Sequence, residues 1–203
     1  MNIKILNYQI HIDFSLILFV TLLFFINKSF FIFSSILASL IHESGHLIAL
    51  KNNSSSSNQL EFSLFKFNII DKNRISKSLH DDLIILLSGP IFNLVTFILF
   101  FAISKFYNNE KLYFFAFENL FLFVFNLLPI IPLDGGQILF ILLSSKIDFL
   151  LAQKIISIIS LILIYITSLI GFFIFLSSKY NISILLFSLY MMFFFYKKTD
   201  FYF

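Results

Sequence analysis

The chain has 203 residues, of which 59% are hydrophobic and 12% charged, and its mean hydropathy is +0.96. Fourteen Lys and Arg against 11 Asp and Glu leave a net charge of +3, and so few charges cannot clothe a water-soluble globule of this size. The richness in aromatic residues excludes intrinsic disorder, while 5 Gly, 3 Pro and no Cys exclude collagen-like and disulfide-rich classes.

Apolar runs, measured against the roughly 20 residues a helix needs to cross a bilayer, predict about six spans. Residues 12–27 form the first, and no small-residue cleavage site follows it, so it is expected to be retained. Residues 29–50 form the second, interrupted by His42-Glu43-Ser44-Gly45-His46. The polar stretch 52–82 is expected to be a cytoplasmic loop in which residues 60–70 alternate loosely enough for a short strand or hairpin. The third span, 83–104, carries Ser88-Gly89-Pro90 and Asn93. The fourth, 112–128, runs into Pro129 and Pro132, which end or break a helix, and an apolar segment resumes after Asp134-Gly135-Gly136. Residues 149–176 and 182–196 complete the count. The expected fold class is an all-α polytopic membrane protein, with 1–203 as a single transmembrane domain and no soluble domain after the last span.

The Lys residues lie singly between apolar blocks rather than gathered on one face, which argues for lipid contacts and against a nucleic-acid partner. In the six-span arrangement one side holds Lys4, Lys51, Lys66, Lys72, Arg74, Lys77, Lys146, Lys154, Lys197 and Lys198, and the other Lys28, Lys105, Lys111 and Lys179. Cytoplasmic loops hold the excess, so both termini are expected in the cytoplasm of a multi-pass protein of the cell membrane. Glu118, near the outer end of the fourth span, is expected to snorkel.

His42 and His46 stand four apart and share one face of a helix, with Glu43 next to the first. In this spacing two imidazoles on adjacent turns can grip a zinc ion while the glutamate reaches a water on it. Two histidines and a carboxylate inside an apolar span are costly enough to imply a ligand or partner. Catalytic zinc keeps three protein ligands, and Asp134 is the one acidic residue in the break after the fourth span, at compatible depth in the six-span arrangement. Asn93 is a further candidate, its amide either bonding a neighbouring helix or meeting substrate.

His42-Glu43-Ser44-Gly45-His46 in one span, Ser88-Gly89-Pro90 with Asn93 in the next, and Asn126 to Gly136 after that resemble the site-2 protease family of intramembrane zinc metalloproteases. The wording NLLPIIPLDGG is most similar to the sporulation branch of that family. The resemblance implies a protease that cuts a membrane-tethered regulator, such as a pro-sigma factor, with a membrane inhibitor or regulator as a further partner. It implies Zn²⁺ held by His42, His46 and Asp134, with Glu43 as the catalytic glutamate. Asn126, with Pro129 and Pro132, matches the family's substrate-positioning segment. Sporulation members often carry a nucleotide-sensing CBS domain after the last span, and none is expected in a chain that stops at Phe203. The rival readings are a metal-ion transporter built on the same residues and a catalytically inactive membrane scaffold.

Overall fold

The computed structural model describes residues 2–5, 8–12, 30–53, 59–63, 66–70, 79–131, 133–177, 188–193 and 195–196. The chain divides into two compact units, residues 1–122 and 123–203.

The first unit holds two strands, β1 (Asn2–Ile5) and β2 (Tyr8–Ile12), then helix α1 (Phe30–Asn53). Strands β3 (Gln59–Ser63) and β4 (Lys66–Ile70) and helix α2 (Leu79–Tyr107) follow. Helix α3 (Glu110–Asn126) begins in this unit. The strands form one sheet in the order β1-β2-β3-β4, antiparallel at each outer pair and parallel between β2 and β3. A parallel pair cannot be joined by a tight turn, and here the connection from β2 to β3 carries α1. The all-α expectation therefore needs correction at the N-terminus, where strands β1 and β2 occupy residues given no structure by the hydropathy pattern. Their pairing partner lies some fifty residues away, as in the register Ile10 to Leu60.

Helices α1 and α2 pack through small residues. On α1 the buried positions Ser34, Ala38, His42, Gly45, His46 and Ala49 recur every three or four residues, so they lie in one stripe. On α2 the buried positions Ile85, Gly89 and Asn93 do the same. A Cβ at Gly45 would lie 2.6 Å from the Ser88 carbonyl oxygen, so glycine is what lets the backbones approach there. The outer faces are the reverse: Ile91, Val95, Ile98, Leu99 and Phe106 of α2 are exposed. An apolar exterior around a small, polar helix interface suits lipid and would aggregate in water.

The link from α2 to α3 is short and chemically determined. Asn108 takes the left-handed conformation (φ 47°) after α2, and the Asn109 side chain accepts from the Lys111 and Leu112 backbone N–H groups at 3.0 and 3.4 Å. Phe100 with Phe115 and Phe101 with Phe117 then meet edge to face across the two helices. Glu118 of α3 accepts a hydrogen bond from Ser35 of α1, so its carboxylate is held between helices where snorkelling was expected.

In the second unit the chain turns over 127–131, enters helix α4 (Asp134–Ser144), and continues into α5 (Phe149–Ser177); residues 188–193 are helical. Ile130, Leu133, Ile164, Met191 and Phe195 form its buried apolar core.

Among the described residues three helices are long and apolar enough to cross a membrane: Phe30–Leu50, Leu79–Tyr107 and Phe149–Ser177. These are the features of an integral membrane protein. The described residues alone do not reach the six-span count. The first expected span lies almost wholly outside the described residues, as does the first half of the last. The fourth corresponds to α3, whose 17 residues include Glu110, Lys111 and Glu118; that is short for a full crossing.

Candidate metal centre

The two histidines come from the middle of α1, where nothing interrupts the helix. The i, i+4 spacing stacks their rings on one face, with centroids 4.9 Å apart and planes at 82°. Both are buried, each 6% exposed. Their Nε2 atoms are 3.2 Å apart, so the two inner nitrogens converge on one point.

The outer nitrogens are each held by α2. His46 Nδ1 lies 2.7 Å from the Ile85 carbonyl oxygen, and a carbonyl only accepts, so Nδ1 carries the hydrogen and Nε2 keeps the lone pair. That tautomer is the one a metal needs, and a backbone carbonyl is a common partner for a ligand histidine. His42 Nδ1 lies 3.3 Å from the Asn93 amide, and Asn93 is fully buried. Asn93 thus sits against a histidine rather than in an open position.

Gly89 explains why the ring of His46 fits. A Cβ there would lie 2.3 Å from His46 Nε2, so any side chain at this position occupies the space of the imidazole. Gly89 is thus a seat for the ring. Pro90 sits inside an unbroken α2 and brings no N–H to the Leu86 carbonyl. Neither the Ile85 carbonyl nor the role of Gly89 was anticipated. Only the spacing of four between Ile85, Gly89 and Asn93 on α2 signals a shared face.

Asp134 belongs to the second unit and is the first residue of α4, where backbone N–H groups and the helix dipole favour a carboxylate. The chain before it is built from turns, with Leu128 donating to the Phe125 carbonyl, Ile130 to that of Leu128, and Leu133 to that of Ile130. Ser160 of α5 accepts from the Ile131 N–H at 3.0 Å and donates to the Pro129 carbonyl at 3.4 Å. A broken helix within an apolar protein must satisfy its freed backbone groups internally, and this serine does so for two of them. The sequence did not single it out, because α5 also carries Ser157, Thr167 and Ser168. Gly135 and Gly136 pack flat on the turn, where a Cβ would meet the Leu127 and Ile130 carbonyl oxygens at 2.2 Å. Asn126 ends α3 and is half-buried, Pro129 lies in the turn, and Pro132 falls outside the described residues.

Residues 108–169 match the model of Peptidase family M50. This stretch runs from the start of α3 through Asp134 into α5, and so leaves the histidine pair of α1 to be judged on its own geometry. No curated protein matches the chain. Among solved structures, the site-2 protease from Methanocaldococcus jannaschii is similar, with a TM-score of 0.68 and 28% identity over 95% of this chain and 92% of that one. Both likenesses are to peptidases, and the paired imidazoles are donors of the kind that can hold a metal ion. The further likeness to sporulation proteins is carried by neither comparison.

Proposed function

We propose that the chain is a zinc-dependent intramembrane endopeptidase that cuts a membrane-tethered protein, a pro-sigma factor being the candidate suggested by the Asn126 to Gly136 wording. The observation that carries this reading is the convergence of the His42 and His46 Nε2 atoms at 3.2 Å, with the Nδ1 of each facing a polar group on α2. His42 and His46 each offer an imidazole nitrogen and Asp134 a carboxylate oxygen, a donor set that suits zinc and leaves a position open. A zinc ion so held supplies Lewis acidity, activating water near neutral pH and polarising a peptide carbonyl.

The rest falls to the side chains. Glu43 follows His42 by one residue on the same turn of α1, half-buried, and is the carboxylate suited to act as general base. It takes the proton from the attacking water and returns it to the leaving amine. Asn126, Pro129 and Pro132 form the segment against which an extended substrate is positioned, its backbone pairing as a peptide does at a strand edge. The whole chain works as one protease domain in a six-span arrangement with both termini in the cytoplasm, supported by the Lys and Arg distribution.

The test is co-expression of the full chain with a tethered pro-sigma factor, comparing wild type with Glu43→Gln and Asp134→Asn by substrate size on a gel. Cleavage by wild type alone supports both carboxylate roles. Continued cleavage by Glu43→Gln overturns the mechanism, and zinc flux into proteoliposomes without cleavage transfers the site to a transporter.

A further inference from the structure

Asn93 is 0% exposed, and its amide nitrogen faces His42 Nδ1 at 3.3 Å. Drawn this way, Nδ1 of His42 is the acceptor and the ring hydrogen sits on Nε2, pointing at His46 Nε2. Asn93 Oδ1 is then buried with no hydrogen-bond partner. A buried amide oxygen left without a donor keeps its desolvation cost uncompensated, so an orphan of this kind asks for an explanation. A half-turn of the amide about its last torsion puts Oδ1 where Nδ2 now lies and turns the contact into Nδ1–H donating to Oδ1. His42 Nε2 then carries a lone pair, matching His46, whose tautomer the Ile85 carbonyl already dictates.

We infer that Asn93 is a positioning residue for the metal site: through its side-chain oxygen it fixes the tautomer of His42 and holds the Nε2 lone pair toward the ion. This rests on the metalloprotease reading above. An amide suits the role better than a carboxylate or a hydrocarbon because it can turn. It donates to Nδ1 when the two Nε2 atoms share a hydrogen, and accepts from Nδ1 when both must be bare. No other side chain of that length satisfies both tautomers. The two ligand histidines are thus oriented from α2 by different means, one by a backbone carbonyl that cannot change and the other by an amide that can.

The test is zinc affinity of the purified full-length chain in detergent, measured by competition with a chromophoric chelator, with cleavage recorded separately. Asn93→Leu removes the acceptor at nearly constant volume and should weaken zinc binding by about 10- to 100-fold. Asn93→Asp keeps the acceptor and loses the donor, and should bind zinc at least as tightly as wild type. Asn93→Ala repeats the deletion without added bulk if the leucine variant does not fold. An aspartate variant as weak as the leucine variant overturns the inference, because the amide nitrogen would then be the group that matters. So does a leucine variant as tight as wild type. A wild-type chain that binds no zinc overturns the metal reading itself, an outcome distinct from the other two.

Discussion

The histidine pair and the aspartate segment reach their chemistry by opposite routes. On α1 the helix is regular, and the site is made by side chains: small residues bring α2 close, Gly89 clears space for one ring, and Ile85 and Asn93 hold the outer nitrogens. Around Asp134 the helix is broken, and the segment is made by backbone: turns over 127–131, a serine hydroxyl bridging two freed groups, and glycines lying on carbonyls. The first arrangement depends on the volume and polarity of a few side chains. The second depends on backbone groups that leave no room for a Cβ and on one serine hydroxyl. Apolar surroundings favour both devices, since neither leaves a polar backbone group facing lipid.

The largest expected effect lies in the first region. Glu43→Gln keeps the shape of the side chain and removes its basicity, so cleavage should fall by about 10² to 10⁴-fold with zinc content unchanged. Loss of zinc along with activity would show that Glu43 is structural. Next comes Gly89→Ala, whose methyl claims the position of His46 Nε2; displacement of a metal ligand by about 1 Å costs on the order of 10²-fold, read as lost cleavage and lost zinc together. Full zinc occupancy in that variant would show that the ring can move without consequence, and that side-chain volume does not set this region.

The second region should respond in stability rather than in affinity. Gly136→Ala pushes a methyl against the Ile130 carbonyl and should destabilise the chain by about 1–3 kcal/mol, seen as a lower melting temperature in detergent. Ser160→Ala leaves the Ile131 N–H without its acceptor and should cost about 1 kcal/mol by the same measurement, with zinc affinity unaltered. A zinc effect larger than the stability effect would mean that the turn aims Asp134 more tightly than its backbone design implies. Smallest is Ser35→Ala, which removes the donor to Glu118 between α1 and α3 and should lower stability by about 0.6 kcal/mol.

What was legible in the sequence was whatever depends on near neighbours. The H-E-x-x-H spacing is a statement about one helix turn, so His42, Glu43 and His46 could be grouped without knowing what packs on them. The apolar runs at 29–50, 83–104 and 149–176 correspond to α1, α2 and α5 because spanning length is set by local composition. The break before Asp134 followed from proline chemistry alone. Strands β1 and β2 were not legible, since a strand four or five residues long is stabilised by partners, and the β2 partner comes after α1. Glu118 was misjudged for the same reason: whether a carboxylate reaches for water or for Ser35 depends on which helix lies beside it.

Residue types and their helical period by themselves determined that this is a membrane chain with two histidines on one helix face and a carboxylate beyond a broken helix. Only the tertiary structure decided which nitrogen of each histidine is held, that Gly89 is the seat of His46, and that Ser160 closes the broken segment. These depend on groups 39, 43 and 29 residues apart, His46 with Ile85, His46 with Gly89 and Ile131 with Ser160. The physical reason is that a hydrogen bond or a steric contact acts over about 3 Å, and no local pattern records which distant residue folding will bring within that range.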